Sequence, residues 1–360
     1  MNKHIFYIAA ACVALASCVK NEVRVNAPDK EITFQTVSTK AGGAAFETDK
    51  HFFSYAYFLE KDNTWDANHA DAKAYIDNAL ITYITPNSGN GYWAAKDNYY
   101  WPKQGSLTFF AWTDNTIHNP TSNPAPSVTG ATVTCAHDTG IKITDYSVMD
   151  NPNKDILVAE IAKDKRSNET ATGTWENGVP TVFRHALAKV EFKVNKKIDY
   201  PNVEFRVKRI TLTQVSTRGT FTQYQSNPNP ENWGWNGWGI QKDLIVFTGD
   251  VEVTKITGTT PEEFDNLPPS ATDYFIVLPQ GLKDKTDPKL TIEYEIITSY
   301  VAGKPVTEKV TDTKDLKDIY TDDWKCNKKY VLGITLGLNE IFWDPSVVDW
   351  EDGTVTDIQF

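Results

Sequence analysis

The chain has 360 residues and a formal net charge of -11, with 40% hydrophobic and 23% charged residues. This balance excludes a disordered chain, and the acidity excludes nucleic acid as a partner because phosphates require a basic surface. The length favours two domains, and the 12% of aromatic residues favours strands. We therefore expect a mostly β fold with few short helices.

Residues 1–17 have the pattern of an export signal. Lys3 supplies the positive start, and residues 5–15 are apolar but too few to span a bilayer. The sequence LASC at 15–18 resembles the bacterial lipobox, in which the cysteine thiol receives a diacylglyceryl group and the signal is cut before it. We expect lipidation of Cys18; a plain signal peptide that contains a cysteine is the alternative.

Residues 18–30 are polar and contain a proline, which indicates a tether between the membrane surface and the folded part. The sequence EITFQTVST at 31–39 then alternates, with Ile32 and Phe34 on one face, and predicts a strand. A basic residue beside glycines and alanines follows at 40–46, which predicts an exposed loop.

The next predicted elements are a helix, a pair of aromatic strands and long loops. Residues 67–84 place alanine and apolar residues at steps of three and four, which predicts a helix. The sequence at 98–115 has two aromatic runs around a Pro-Lys-Gln-Gly turn, which predicts strands. Residues 115–154 are rich in Asn, Pro, Thr and Ser and predict loops.

From residue 181 the strand pattern is clearer. Within residues 183–195, one face carries Ala188, Val190, Phe192 and Val194, and the opposite face carries Lys189, Glu191 and Lys193. Further strand candidates follow at 203–215, 243–249, 273–280, 290–297 and 329–338, with a short helix at 312–320. We therefore predict an N-terminal β-sandwich domain over 31–180 and a C-terminal one over 181–360.

Several of these stretches together resemble the fimbrillin family, the subunits of type V pili. They are the lipobox, the ITF strand followed by Lys40-Ala41, YYWPKQGSLTFFAW at 99–112, FRHALAKVEFKV at 183–194, and YVLGITLGLNEIFWDPSVVDWED at 330–352. The resemblance covers nearly the whole chain. It implies two transthyretin-like β-sandwich domains, export as an outer-membrane lipoprotein, and assembly into fimbria with copies of itself and related pilus subunits. It implies no cofactor.

The resemblance also implies a route of assembly by strand exchange. The first strand, with Ile32 and Phe34, fills a place in the N-terminal sheet until a trypsin-like protease cuts the Lys40–Ala41 bond. The empty place then presents unpaired backbone groups. A neighbour's extended tail refills it by adding a strand.

The C-terminal segment 339–360 is the candidate for that tail. It carries more apolar side chains than a free tail needs, namely Ile341, Trp343, Val347, Val348 and Trp350. The alternative is that these residues form the last strands of the chain's own C-terminal domain, which would show the same alternation.

A different function is suggested by Trp233, Trp235 and Trp238, which lie among glycines. Exposed tryptophans could stack on sugar rings, and the chain would then be a lipid-anchored, glycan-binding surface protein. The alternative is a loop whose tryptophans fold back into the core.

Other chemistry has little support in the sequence. It carries no nucleophile elbow, phosphate-binding glycine loop or zinc-protease motif, so no enzyme is expected. No metal site is expected either, because Cys135 and His137 give only two ligands. Cys135 and Cys326 either pair or remain free, and their spacing does not decide between the two.

Overall fold

The structure is a computed structural model, and it describes residues 30–39, 46–87, 91–118, 124–166, 178–224, 233–256, 264–267, 275–283, 285–299, 304–338 and 341–350. The signal segment, Cys18 and the Lys40–Ala41 bond lie outside the described residues. No helix among the described residues is long and apolar enough to cross a membrane.

The elements of the first half are β1 (Phe34–Thr39), β2 (Phe52–Leu59), α1 (Trp65–Asn68), a 3₁₀ turn (His69–Asp71), β3 (Lys73–Ile84), β4 (Tyr92–Ala95), β5 (Ser106–Thr113), β6 (Thr132–Ala136), β7 (Gly140–Ser147), β8 (Leu157–Ala159) and β9 (Ala162–Lys165). Those of the second half are β10 (Val179–His185), β11 (Ala188–Lys196), β12 (Val203–Thr222), β13 (Gly234–Glu252), β14 (Asp265–Asn266), β15 (Ile276–Val277), β16 (Lys289–Thr298), β17 (Val306–Asp315), α2 (Leu316–Ile319), β18 (Lys328–Leu336) and β19 (Ile341–Asp349).

The described strands form three sheets, which confirms the mostly β fold class. The first has the order β2-β3-β4-β1-β10-β8-β5-β9, and β2 also pairs with β5, so this sheet curls and closes on itself. The second has the order β14-β11-β18-β19, with β15 also on β11. The third has the order β17-β16-β12-β7-β6, with β13 also on β12.

Two apolar cores lie between these sheets. The smaller one fills the eight-stranded sheet around aromatic side chains of β1, β2, β4, β5 and β10. The larger one is shared by the other two sheets and reaches strands of the first sheet through residues such as Tyr57, Phe110 and Trp112. Because the apolar clusters meet at these strands, the sheets pack as one body.

Strand β12 connects parts of the chain that are far apart in sequence. Its first half pairs with β16 and its second half with β7, while β13 runs along its other side. Strands β6 and β7 precede residue 180 yet belong to this sheet, and β10 begins at Val179 within the first sheet. The division into domains at residue 180 stays a prediction.

The helix predicted over 67–84 is wrong. The structure has only a short helical turn at its start, followed by β3, which pairs with β2 and β4. Asn78 has φ 49, in the left-handed region, and the β2–β3 register shifts nearby. This irregularity lets both Ile76 and Ile81, five positions apart, become buried.

The loops predicted over 115–154 are wrong in part, because this stretch contains β6 and β7. Elsewhere the sequence patterns are confirmed. The alternation in 183–195 corresponds to β10 and β11, where every second residue of β11 from Ala188 to Val194 is buried. The short helix predicted at 312–320 is α2.

Candidate functional site

The first described segment, residues 30–39, lies inside the eight-stranded sheet. Strand β1 pairs with β10 in parallel, from Phe34 opposite Val179 to Thr39 opposite Phe183. On its other side Phe34 pairs with Trp93 of β4. Backbone hydrogen bonds continue on both sides before the strand: the Ile32 amide donates to the Tyr99 carbonyl at 2.7 Å, and the Val179 amide to the Thr33 carbonyl at 2.7 Å. The segment thus has partners on both edges.

The two apolar side chains predicted for this segment are core residues. Ile32 is 3% exposed and Phe34 is 2% exposed. The Phe34 ring makes edge-to-face contacts with Phe52, at 5.5 Å between centroids, and with Phe109, at 5.9 Å. Burying two such side chains contributes about 3–6 kcal/mol. The role of this segment as a displaced strand stays a prediction.

The C-terminal segment occupies a different position, at the edge of its own sheet. Strand β19 pairs antiparallel with β18 over its whole length, from Ile341 opposite Leu336 to Asp349 opposite Lys328. Among the described strands it has a partner on one side only. Val347 is 49% exposed, whereas Ile341 is partly buried against the core. The side chains of Trp343 and Val348 lie outside the described residues.

β19 therefore completes the sheet of its own chain, which is the alternative that the sequence left open. The role of the tail as a donor to a neighbour stays a prediction.

Trp350, directly after β19, attaches the end of the segment to the eight-stranded sheet. It is 5% exposed, and its ring stacks on that of His185 at the end of β10, with centroids 3.8 Å apart and planes at 2°. Its backbone amide donates to the Asn327 carbonyl at 3.2 Å. The Asn327 side chain in turn accepts from the His185 amide at 3.2 Å. One aromatic contact and this pair of hydrogen bonds hold the tail closed.

A buried polar cluster lies in the same region, around Asp114. Its side chain is fully buried, and it accepts hydrogen bonds from the Ser127 amide at 3.1 Å and the Thr116 hydroxyl at 2.9 Å. His118 Nε2 lies 3.1 Å and Lys154 Nζ 3.3 Å from its oxygens. Burial alone raises the pKa of Asp114, but these bonds and the Lys154 charge outweigh it and lower the pKa to about 2. The Asp114 carboxylate is therefore ionised at neutral pH, and its hydrogen bonds stabilise the fold there.

The tryptophans that suggested a sugar platform are core residues where their side chains are described. Trp233 and Trp235 are each 5% exposed. The Trp235 indole donates to the Ala186 carbonyl at 2.6 Å, and both rings pack on Phe221. Stacking on a sugar needs an exposed ring, so neither residue supports glycan binding; the Trp238 side chain lies outside the described residues.

The cysteines and possible metal ligands show no built site. Cys135 and Cys326 are both free thiols, and burial raises the pKa of each above its ordinary value. Such thiols are inert packing groups. Among the described residues, no group of three or more His, Cys, Asp and Glu side chains could hold a metal ion.

These features define a class: a mostly β structural protein whose first described strand is buried at the centre of a sheet and whose last strand lies at an edge. A sequence profile described as fimbrillin-like matches residues 37–350, and the chain belongs to that family. Membership makes the chain a structural, non-enzymatic subunit, and it supports a place in a cell-surface fimbrium.

One solved structure agrees on the fold, and a second is similar over most of its length. A fimbrial protein from Bacteroides vulgatus ATCC 8482 superposes with a TM-score of 0.66 at 14% identity, covering 90% of this chain and 100% of that chain. A putative cell adhesion protein from Bacteroides uniformis ATCC 8492 has a TM-score of 0.49 at 14% identity, covering 91% and 100%. A search of curated proteins returned no match.

Proposed function

We propose that this chain is a pilus subunit that is lipidated on Cys18, matured by cleavage of the Lys40–Ala41 bond, and polymerised by donor-strand exchange. The observation that supports this most strongly is the position of β1, a terminal strand with partners on both edges and an apolar face in the core. Removing such a strand opens a ready-made place for another.

The topology allows β1 to leave without unthreading the rest of the sheet. Its neighbours β4 and β10 are not adjacent to it in the chain, so no tight hairpin ties it to either. After a cut at Lys40, the described contacts that hold the segment are its strand pairing and the burial of Ile32 and Phe34. The place that it vacates has unpaired edges on β4 and β10 and an aromatic floor, which favours pairing with a new strand.

The C-terminal segment is suited to fill that place. As an edge strand, β19 pairs with β18 alone among the described strands, whereas a strand between β4 and β10 bonds on two sides. Exchange therefore adds a row of backbone hydrogen bonds and moves exposed apolar groups such as Val347, which is 49% exposed, into a core. Each large apolar side chain buried in this way contributes about 1.5–3 kcal/mol.

Limited proteolysis of the purified precursor tests the maturation step. Trypsin should release a fragment that ends at Lys40, and the remaining chain should form ladders on a denaturing gel run without boiling. Lys40→Gln should abolish both results. Lys30→Gln is the matched control, because a cut after Lys30 does not remove β1. The Lys30→Gln variant should polymerise normally. Clean cleavage at Lys40 with persistent monomer would contradict the proposal.

A truncated subunit tests the donor role separately. A chain that lacks residues 340–360 should still accept a neighbour's tail but should have none to donate. Mixed with the full-length matured subunit, it should end growing polymers and shorten the ladder in proportion to its share. An unchanged ladder at equal amounts would assign the donor role to another segment.

The membrane anchor has its own test. Cys18→Ser should move the precursor from the sedimented membrane fraction to the supernatant, while leaving trypsin sensitivity at Lys40 unchanged. Continued sedimentation with the membranes would show that attachment does not depend on this cysteine.

A further inference from the structure

Three side chains in the N-terminal part form a continuous line of hydrogen bonds: a lysine, an asparagine and an aspartate. Lys50 Nζ donates to Asn115 Oδ1 at 2.9 Å. Asn115 Nδ2 donates to Asp155 Oδ2, also at 2.9 Å. The Lys50 side chain is 17% exposed and that of Asp155 is 11% exposed. An amine, a carboxamide carbon and a carboxylate thus lie together in a mostly buried site.

Backbone pairing keeps the Lys50 amine beside the Asn115 side-chain amide. Strands β2 and β5 are antiparallel partners, and Lys50 precedes β2 while Asn115 follows β5. The His118 amide donates to the Asp49 carbonyl at 2.8 Å, and Lys50 forms a β-bridge with Ile117. Contacts on both sides of the pair therefore maintain its geometry without relying on the side chains.

The two oxygens of the Asp155 carboxylate have different surroundings. Asp155 Oδ1 is buried and has no hydrogen-bond partner among the described residues, while Oδ2 lies 2.9 Å from His185 Nδ1. A buried oxygen without a partner is uncommon in a folded protein, and it requires an explanation. The Trp350 ring stacks on His185, and the Asp155 side chain is only 11% exposed. The unpaired oxygen is therefore available to receive a proton in a site partly shielded from water.

We propose that Lys50 and Asn115 form an intramolecular isopeptide bond, with Asp155 as the proton shuttle. The Lys50 ammonium first loses one proton to solvent at its exposed edge. Neutral Nζ then attacks Asn115 Cγ, forming the Cγ–Nζ bond and a tetrahedral adduct. Solvent takes the next proton from Nζ. Asp155, which lies beside Nδ2, carries a proton from solvent to Nδ2, the Cγ–Nδ2 bond breaks, and ammonia leaves.

The atoms of this step balance without any further reagent. One amine and one carboxamide become one secondary amide and one ammonia molecule, and Asp155 returns to its starting state. No group is oxidised or reduced. Holding the reacting groups near attack distance supplies much of the rate in such reactions, and lysine is an established nucleophile once neutral.

The Lys50 amine also lies 3.4 Å from Glu47 Oε2. Glu47 is 62% exposed, so this ion pair contributes little and does not hold the amine away from the amide. The cross-link would join the start of β2 to the end of β5. It would hold β2 and β5 together whether β1 or another strand lies between β4 and β10.

Mass spectrometry of the purified wild-type chain tests the proposal directly. The intact mass should be lower than that of the sequence by one ammonia. Digestion should yield a branched peptide that contains both Lys50 and Asn115, with no cleavage after Lys50. Lys50→Arg and Asp155→Asn should each restore the unreacted mass at Asn115 while circular dichroism shows folded protein. Lys73→Arg, at an exposed lysine paired with Glu60, is the matched control and should keep the cross-link.

Two results would overturn the proposal. One is a wild-type intact mass equal to that of the sequence, with ordinary tryptic cleavage after Lys50. The other is an ammonia loss that persists in Lys50→Arg, because it would then arise from cyclisation of another asparagine. Neither readout depends on polymerisation, so the cross-link stands or falls independently of strand exchange.

Discussion

The first and last described strands have similar apolar character but opposite positions. β1 has neighbours on both edges and places Phe34, 2% exposed, among aromatic rings. β19 has one neighbour and leaves Val347 49% exposed. Composition alone therefore does not decide whether a terminal strand is held firmly or loosely. The number of paired edges and the packing of each side chain decide it.

The largest expected difference between the two strands comes from removing one apolar side chain from each. Phe34→Ala should lower the free energy of unfolding by about 3–5 kcal/mol, because it leaves a cavity between Phe52 and Phe109. Val347→Ala should change it by less than about 0.5 kcal/mol, because the side chain is half exposed. Urea denaturation followed by circular dichroism measures both. Equal losses would show that the two strands are held alike.

A smaller effect is expected at the contact that holds β19 closed. Trp350→Ala removes a buried ring and its stack on His185, and should lower the local opening free energy of β19 by about 2–4 kcal/mol. Amide hydrogen exchange over 341–349 measures it, with β11 as the internal reference. Trp350→Phe, which can still stack, should lose less than half as much. Unchanged exchange in Trp350→Ala would mean that pairing with β18 alone holds the strand.

The smallest expected effect is a difference in acid sensitivity. The pKa of Asp114 is about 2 in the folded chain, below its ordinary value of 3.8. The resulting stabilisation of about 2 kcal/mol is complete above about pH 4 and is lost as the pH falls toward 2. Asp114→Asn should therefore flatten the decline in stability over this range.

Asp250 is the matched control for that measurement. Hydrogen bonds from Arg206 and Lys208 also lower its pKa to about 2, but it lies on the exposed face of the third sheet. Solvent screens such a pair, so Asp250→Asn should leave the acid profile nearly unchanged. An equal effect of the two variants would show that burial of the Asp114 cluster is not what makes it stabilising.

Much of the strand content could be predicted from the sequence, because alternation reports a half-buried strand directly. β11 is the clearest case, where every second residue from Ala188 to Val194 is buried. β3 could not be predicted in this way. The irregularity near Asn78 breaks the period of two, and the remaining apolar residues then fall at helix-like steps. Pairing with β2 and β4, which the local sequence does not report, decides the outcome.

The sequence predicts the parts of the candidate site that lie within one continuous segment of the chain, and not the contacts between distant segments. The apolar face of 31–39 predicts that Ile32 and Phe34 are buried, as the structure has them. The stack of Trp350 on His185 and the line from Lys50 through Asn115 to Asp155 were not predictable, because each joins residues from distant parts of the chain. The tryptophans at 233 and 235 lie among glycines, a pattern that is typical of an exposed loop. Both are nevertheless buried, because β13 runs along β12.

The length of β12 has a mechanical consequence. The strand contains 20 residues and would extend about 66 Å if straight. Along that length it is bonded to β13 on one side and to β16 and β7 on the other. A pull applied along its axis strains these bonds in shear, so many of them must yield together rather than one after another. Tension in a fibre built from such subunits would be shared across the width of this sheet.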